Sequence, residues 1–319
     1  MGVIGKDLEK AIEALTTSEL VGIPTETVYG LAANAMNPNA VTRIFTAKDR
    51  PTFHPLIVHI HSLAQAQNWV EAIPPKILKL TDTLWPGPLT ILLKRKAGGI
   101  PDIVTGGSPW VGLRVPQHPV TLELLNRLPF PLAAPSANRF GYVSPTTPQH
   151  VADQLEEEVA YILDGGPSLI GVESTIVQVD EEDTCRVLRP GGVSIELIQT
   201  LVGPVSLAKP DTSIRTSGTL KSHYATQTPV VIGNIAELLG ENESKKVGIL
   251  SFQEFYPRIA SEYQRVLSPQ GSLAEAAQNL FAAMRELDEL DQELILTEKF
   301  PELGLGRAIN DRLQRAAAR

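Results

Sequence analysis

The sequence predicts an α/β protein in which a larger α/β domain precedes a smaller one. Helix-periodic segments and short β-branched runs alternate through most of the chain. Residues 208–229 contain prolines, glycines and few large apolar side chains, which is typical of a linker. A second alternation begins after this stretch. We therefore expect a first domain over 1–207, a linker over 208–229 and a second domain over 230–319.

The predicted helices of the first domain carry apolar residues at helical spacing or a capping signal. Apolar residues at that spacing predict a helix over 7–17. Asn37 is a capping residue directly before Pro38, and proline suits the first helical position, so a helix should run from there to about Ala47. Further helices are expected near 63–71, 75–84 and 119–128, and from Pro148 onward.

The predicted strands of the first domain are short apolar runs bounded by turn residues. The run after Pro55 is rich in β-branched residues and is typical of a buried strand. We expect a turn of small residues at 32–35 and an exposed loop, long enough to act as a flap, at 98–110. Strands are expected at 20–23, 55–60, 89–93, 111–115, 131–134, 160–163, 174–179 and 185–189.

The second domain repeats the alternation on a smaller scale. Its apolar runs predict strands, and its longer periodic segments predict helices. Strands are expected at 230–232, 247–251 and 293–297, with helices at 234–240, 272–290 and 307–317.

The composition is that of an ordinary globular protein, with 43% hydrophobic and 20% charged residues. No apolar run approaches the roughly 18 residues that cross a bilayer. The N-terminus lacks a basic segment followed by an apolar core, so we expect no secretion signal. The single cysteine, Cys185, excludes an intramolecular disulfide and a cysteine-built zinc site. We expect a reducing, cytoplasmic compartment and no membrane partner.

Several familiar function classes do not fit. The net charge of −8 argues against a nucleic-acid-binding module that relies on bulk charge, although a local basic concavity stays open. Gly166 and Gly171 have the spacing of a phosphate-binding loop, but Val172 stands where that motif requires lysine. No G-x-S-x-G or H-E-x-x-H motif occurs.

Small polar groups and isolated cations cluster next to the predicted strands. In open α/β sheets, loops at the carboxyl ends of strands form the ligand crevice. Arginines bind oxyanions through two hydrogen bonds, and hydroxyl donors complement them, so the set suits phosphates and a carboxylate. The alternative is that the hydroxyl and amide residues only cap helices and form turns. The set comprises Thr25, Glu26, Thr27, Lys48, Arg50, Arg114, Ser136, Asn138, Ser144, Ser174, Thr175 and Arg189.

The first two-thirds of the chain resembles the YrdC-like threonylcarbamoyl-AMP synthase family. The matching segments, in the order of that family, are G-I-P-T-E-T-V-Y-G-L, A-K-D-R-P-x-x-H-P-L-I-V-H-I, W-P-G-P-L-T, V-G-L-R-V-P, A-A-P-S-A-N, D-G-G-P, E-S-T-I-V and L-R-P-G. They extend over about 8–200, and the linker segment S-G-x-x-x-x-H-Y-A with the extra domain resembles the longer, two-domain form. Ser217 and Thr226 stand where that linker commonly has proline.

The resemblance implies a YrdC-like fold, which is a large twisted mixed sheet with flanking helices, followed by a smaller Rossmann-like C-terminal α/β domain. It also implies a reaction. L-Threonine, bicarbonate and ATP would give threonylcarbamoyl-AMP and pyrophosphate, for modification of the adenosine beside the anticodon (position 37) of tRNAs. Mg²⁺ is expected to arrive with ATP, and no dedicated metal cage is expected. Weak contact with tRNA or with a modification complex stays open.

The resemblance also assigns roles to residues of this chain. Lys48 and Arg50 are the expected catalytic cations, and Arg114 is expected to pair with the carboxylate of threonine. The other expected threonine contacts are Thr27, His59, Ala134 and Ser174. The expected nucleotide contacts are Arg50, His54, Trp110, Ser136, Asn138, Ser144, Arg189 and Tyr224, the last folding back from the linker.

Glu26 admits two interpretations. It could act as a general base, but we favour a structural carboxylate that accepts hydrogen bonds from backbone amides of its own loop. The whole chain likewise leaves two alternatives to the synthase: a carbamoyltransferase of the same fold, whose known members carry zinc-finger-like cysteines that this chain lacks, and an RNA-binding module.

Overall fold

The computed structural model describes residues 3–208, 216–218, 220 and 222–318. The strands are β1 (Val3–Gly5), β2 (Val21–Ile23), β3 (Gly30–Asn34), β4 (Ile57–His59), β5 (Leu89–Lys94), β6 (Trp110–Arg114), β7 (Leu132–Ala133), β8 (Tyr161–Leu163), β9 (Thr175–Val179), β10 (Cys185–Arg189), β11 (Val205–Leu207), β12 (Val230–Ile232), β13 (Val247–Ser251), β14 (Gln264–Val266) and β15 (Leu294–Thr297). The helices are α1 (Leu8–Thr16), α2 (Pro38–Lys48), α3 (Leu63–Ala66), α4 (Pro75–Leu84), α5 (Asp102–Thr105), α6 (Pro119–Arg127), α7 (Pro148–Leu155), α8 (Ile195–Val202), α9 (Ile235–Glu241), α10 (Leu273–Asp288) and α11 (Gly306–Ala317), with a short 3-10 helix at Ser261–Tyr263.

The first sheet is mixed, and its order across the described chain is β1-β8-β2-β3-β7-β4-β6-β5-β9-β10-β11. β4 and β6 run parallel, whereas β7 runs antiparallel to both β3 and β4. The sheet therefore has no single edge at which all its strands end. This arrangement confirms the predicted large mixed sheet.

The capping signal of α2 forms as the sequence predicts. The side chain of Asn37 accepts hydrogen bonds from the backbone N–H groups of Asn39 and Ala40, and Pro38 occupies the first turn. Asp49 then ends the helix in the left-handed conformation, with φ of 53°. This sharp ending directs the chain back toward the sheet, so that Arg50 lies beside β4.

The predicted turn at 32–35 is wrong, because most of these residues form the central strand β3. β3 pairs antiparallel with β2 on one side and β7 on the other. Ala32 and Ala33 are completely buried there. Their small side chains let layers pack closely on both faces of the sheet, and small residues carry no strand signal that composition could reveal.

The predicted exposed flap at 98–110 is also wrong. The segment contains α5, and Ile100, Val104 and Thr105 are buried. The backbone N–H of Leu56 donates to the carbonyl of Val104 at 2.8 Å, which ties this segment to the start of β4. Its glycines provide left-handed turns at Gly106 and Gly107. The helix expected near 63–71 is likewise shorter, since α3 ends at Ala66.

The second sheet has four parallel strands in the order β12-β15-β13-β14. This confirms the smaller α/β unit, although β14 carries the polar segment Gln264–Val266 and was not predicted. Its core centres on α10, with Leu280, Phe281 and Met284 completely buried. That core includes Val143, Val172 and Tyr224, which lie before β12, so the two sheets share apolar packing.

The predicted boundaries at 207/208 and 229/230 stay predictions. β11 is the last strand of the first sheet, and β12 is the first strand of the second. Residues 209–215 of the predicted linker lie outside the described residues.

Candidate active site

A cleft opens over one face of the first sheet, between the loop after β2 and the segment around Tyr224. Ile57 and His59 both border it, and their spacing on β4 projects both side chains to the same face. The site was expected at the carboxyl ends of strands, and His59, Arg114 and Arg189 are the last residues of β4, β6 and β10. Because the sheet is mixed, residues at or directly before strand starts, Ile57 and Ser174, border the cleft as well. The predicted site residues that border the cleft are Thr27, Arg50, His59, Arg114, Ala134, Ser136, Ser174, Arg189 and Tyr224.

One end of the cleft contains Arg114, which β6 places beside His59 of β4 in parallel register. Arg114 is only 4% exposed, and its Nε donates to the carbonyl of Gly87 at 3.3 Å. Its Nη2 lies 2.7 Å from Oε1 of Glu26, which is also 4% exposed. Glu26 was expected to accept from backbone amides of its own loop. That expectation is wrong, since its charged partner is a side chain from a distant strand.

The loop that carries Glu26 is fixed by its two threonines. The hydroxyl of Thr25 donates to the carbonyl of Val28 at 2.6 Å and lies 2.8 Å from the hydroxyl of Thr27. Ser168 donates to the carbonyl of Thr25 at 2.9 Å, which ties the loop to the segment before β9. Thr25 and Thr27 both border the cleft, so the cleft has a rigid hydroxyl-bearing wall beside Arg114.

His59 is a neutral side chain at neutral pH. Burial, together with the nearby charge of Arg114, lowers the pKa of His59 to about 3. A neutral imidazole can accept or donate one hydrogen bond without adding charge to the Arg114 end of the cleft.

The other end of the cleft contains Arg50 and Arg189. The Arg50 guanidinium donates to the carbonyl of Pro55 at 3.1 Å and lies 5.6 Å from the ring centroid of Phe140. Burial lowers the pKa of Arg50 to about 10, so the side chain stays cationic at neutral pH. Arg189 donates to the carbonyls of Ser174 and Ser217, each at 2.8 Å.

Lys48 supports this end from behind and does not border the cleft. Its Nζ donates to the carbonyl of Ser136 at 2.6 Å and to the carbonyl of Asn138. Asn138 is itself buried and donates to the carbonyls of Arg139 and Tyr142. Burial, with the charge of Arg50 beside it, lowers the pKa of Lys48 well below its ordinary value. In this structure Lys48 thus fixes the loop that presents Ser136.

Ser144 contacts the cleft only through a neighbouring carboxylate. Its hydroxyl donates to Oε1 of Glu173 at 2.6 Å, and Glu173 borders the cleft. Oε2 of Glu173 accepts from Nε of Arg312, on α11 of the second domain, at 2.8 Å. Burial by itself would raise the pKa of Glu173, but Arg312, Arg189 and the Ser144 hydroxyl lower it to about 2. Glu173 therefore stays ionised.

Glu173 and Arg312 were missed by the sequence reasoning. Glu173 directly precedes Ser174 in the segment E-S-T-I-V, so its position in the sequence could have indicated that it lies near the site. Arg312 has 0% side-chain exposure and is surrounded by apolar residues of α11, but its partner is 139 residues away. The one sequence signal for Arg312 is its position on the apolar side of a predicted helix, where arginine is rare.

The segment around Tyr224 closes the cleft from above. Ser217, Gly218, His223 and Tyr224 border it, and the hydroxyl of Ser217 donates to the carbonyl of Pro55 at 2.6 Å. Tyr224 is 1% exposed, adopts a left-handed backbone with φ of 62°, and has Arg312 5.2 Å from its ring centroid. A non-glycine residue in that conformation stores strain, which neighbouring contacts must offset.

Two further predicted nucleotide contacts lie outside the cleft. Trp110 begins β6, whereas Arg114 ends it, so about 13 Å of strand separates the two positions. His54 is buried beside Phe53 and Phe140, with ring centroids 4.4 Å and 5.3 Å away. It therefore belongs to the aromatic group that flanks Arg50.

No set of three or more His, Cys, Asp or Glu side chains within the described part of the chain is placed to bind a metal ion. Glu173, which borders the cleft, is engaged with Arg312, and Glu26, between the bordering residues Thr25 and Thr27, is engaged with Arg114. No described helix combines the length and the apolar character needed to cross a membrane.

Two family models match the chain. The Sua5–YciO–YrdC family, described as "Telomere recombination", matches 13–191. A second family, described as "Threonylcarbamoyl-AMP synthase, C-terminal domain", matches 193–318. Together they cover both sheets except β1.

Named relatives and a solved structure are similar over nearly the full chain. The threonylcarbamoyl-AMP synthase of Bacillus subtilis is 38% identical over 97% of this chain and 92% of its own length. That of Pyrococcus abyssi is 38% identical over 94% of this chain and 90% of its own length. The crystal structure of P. abyssi Sua5 complexed with L-threonine superposes with a TM-score of 0.91, at 35% identity, covering 99% of this chain and 97% of that one.

Proposed function

The chain belongs to the Sua5–YciO–YrdC family in its two-domain form, and from this premise we propose that its cleft synthesises L-threonylcarbamoyl-AMP from L-threonine, ATP and bicarbonate. Relatives with this activity are similar to both domains. The observation that carries the proposal is that one cleft brings together a carboxylate-binding arginine and two further buried arginines. These cations suit an amino acid at one end and a triphosphate at the other.

The first step forms a carbamate. The amine of threonine attacks the carbon of bicarbonate or of the CO₂ derived from it, a C–N bond forms, and the bicarbonate oxygen leaves as water. Arg114 would hold the threonine carboxylate, with Thr27 and neutral His59 beside it. The cleft contributes mainly by holding the two reactants together, which removes the entropic cost of their encounter.

The second step transfers the adenylyl group. A carbamate oxygen attacks the α-phosphorus of ATP, and the bond from that phosphorus to the bridging oxygen breaks, which releases pyrophosphate. Arg50 and Arg189 would stabilise the charge that develops on the phosphate oxygens. Because their partners are main-chain carbonyls, their positive charges remain available to the phosphates.

Mg²⁺ and tRNA belong to the proposal as well. Mg²⁺ would be held by phosphate oxygens and water, since both carboxylates at the cleft are ion-paired, and when bound it would neutralise triphosphate charge. The product would supply the threonylcarbamoyl group for the adenosine beside the tRNA anticodon. The single buried cysteine, Cys185, suits a reducing cytoplasmic compartment.

Pyrophosphate release from ATP tests the proposal, measured with and without L-threonine and bicarbonate and with L-serine as the comparison amino acid. We expect release to require both threonine and bicarbonate and to be slower with serine, which lacks the methyl group. Release without threonine would indicate a different acceptor or a carbamoyl substrate. No release from folded protein, together with salt-dependent tRNA binding, would favour the RNA-binding alternative.

A further inference from the structure

The charge partner of Arg114 distinguishes it from the other arginines at the cleft. Arg50 and Arg189 donate to main-chain carbonyls, which fix a guanidinium in place without cancelling its charge. Within the described chain, Arg114 is the cleft arginine that forms an ion pair with a carboxylate of its own, with 2.7 Å between Nη2 and Oε1 of Glu26. The cleft therefore has a positive end and an end that is close to neutral.

Glu26 is buried at a high electrostatic cost. It is 4% exposed, and neither of its carboxylate oxygens has a hydrogen bond of regular geometry to any described residue. A carboxylate that is removed from water and has a single counter-charge destabilises the folded protein. Its presence here therefore indicates a role other than stability. The Thr25 and Thr27 hydrogen bonds hold the backbone of this loop in place, which keeps Glu26 beside Arg114.

We propose that Glu26 is a positioning and specificity residue that makes the Arg114 subsite selective for a zwitterionic amino acid over a free polyanion. This inference rests on the proposed function. Glu26 holds the guanidinium in one orientation, and the remaining N–H donors of Arg114 meet the substrate carboxylate. Because the ion pair has no net charge, a triphosphate or pyrophosphate gains little by entering, whereas a zwitterion brings its own balancing ammonium group.

The test is Glu26→Gln, which keeps the size of the side chain and removes its charge. We expect the KM for L-threonine to rise at least about tenfold, since a partner of a buried charge pair is lost. The kcat at saturating threonine and the KM for ATP should change little. Added pyrophosphate should become a competitive inhibitor against threonine in the variant and not in the parent enzyme, because Arg114 then carries an uncompensated charge.

Glu9→Gln is the matched control. Glu9 also lies 2.7 Å from an arginine, Arg127, but this ion pair is on the exposed surface, far from the cleft in the fold. The same chemical change there should leave the KM for threonine and the response to pyrophosphate unchanged. An equal change in both variants would overturn the proposal.

A double variant keeps the inference testable if Glu26→Gln fails to fold. Glu26→Gln combined with Arg114→Met removes both buried charges and should fold, since no charge is left uncompensated. If Glu26 acts through Arg114, the double variant should bind threonine only weakly, as measured by calorimetry, and pyrophosphate should not compete with threonine, because no uncompensated charge is left. Threonine affinity equal to that of the parent enzyme, or competition by pyrophosphate in the double variant, would overturn the proposal.

The remaining outcomes separate this inference from the proposed function. Absence of threonine-dependent pyrophosphate release in the parent enzyme would refute the function itself. With an active parent, an unchanged threonine KM and no pyrophosphate competition in folded Glu26→Gln would refute the inference alone. A loss of kcat with an intact threonine KM would instead identify Glu26 as a general base.

Discussion

At the scale of single residues, the hydrogen-bond partner of each cation at this cleft determines how much of its positive charge is available to a ligand. Main-chain carbonyls hold Arg50 and Arg189, and Lys48 is held by carbonyls just behind the cleft. Because a carbonyl group has no net charge, it does not neutralise the guanidinium that donates to it. A buried guanidinium with such a partner still attracts phosphate oxygens. Arg114 alone among the described cleft arginines is neutralised by a carboxylate, which suits it to a different class of ligand.

Arg50→Ala should lower the rate of threonylcarbamoyl-AMP synthesis at least about a hundredfold, as expected for removing one donor to a transition-state oxyanion. Pyrophosphate release under saturating substrates measures this rate. Arg43→Ala is the control, because Arg43 lies on the nearby helix α2 in an exposed ion pair with Glu19. Near-normal turnover of folded Arg50→Ala would show that this arginine has no part in the site.

At the scale of elements, one loop brings the two sheets together. Gly171, in the loop between β8 and β9, has φ of +76°, and a Cβ atom there would lie 2.4 Å from the carbonyl oxygen of Ala277 on α10. Helix α10 thus packs directly against the backbone of the loop that leads to Glu173 and Ser174. A side chain at this position would push apart elements that the active site needs in fixed positions.

Gly171→Ala should lower the free energy of unfolding by about 2–5 kcal/mol, the sum of left-handed strain and overpacking against a helix backbone. Urea denaturation measures the change. Gly203→Ala is the matched control, since Gly203 has φ of +81° with no atom near its Cβ position. The control should lose only about 1–3 kcal/mol, from backbone strain alone, because its φ of 81° and ψ of −159° are adopted almost only by glycine. Equal losses would mean that close packing of α10 does not constrain Gly171.

At the scale of the whole molecule, the second domain supports the active site from behind. Arg312 of α11 reaches Glu173, which receives the Ser144 hydroxyl, and the same guanidinium lies over the ring of Tyr224. Arg285 of α10 also donates to the carbonyls of Val143 and Ser144. The second domain therefore has direct contacts with Glu173 and Tyr224, which border the cleft.

Arg312→Met should destabilise the protein by about 3–5 kcal/mol, because it leaves Glu173 buried without its main counter-charge. It should also raise the KM for ATP more than the KM for threonine, since Glu173 and Tyr224 border the cleft beside Arg189, where we propose that ATP binds. Arg307→Met is the control for the loss of an ion pair between the domains. Arg307 is on the same helix as Arg312, but its partner Glu196 is half-exposed. The control should cost at most about 1 kcal/mol and leave both KM values unchanged. A parallel rise in both KM values for Arg312→Met would contradict this assignment.

Local sequence signals determined much of this protein. Asn37 before Pro38 fixed the start of α2, and the β-branched run after Pro55 predicted β4, because caps and buried strands depend on neighbouring residues. Family-like motifs at Thr27, Arg50, His59, Arg114 and Ser174 also indicated residues that do converge on one cleft. Their proposed roles stay predictions.

Only the tertiary structure decided which groups are partners. Glu26 with Arg114, Lys48 with the Ser136 carbonyl, and Arg312 with Glu173 join segments far apart in the chain. The strength and purpose of a buried charge depend on its distance to a counter-charge and on its exposure, and neither is encoded in local spacing. For the same reason two short strands were not predicted. β14 contains no apolar run and is defined by its parallel pairing with β13, and β1 has an exposed Val3 and Ile4 and is defined by its parallel pairing with β8.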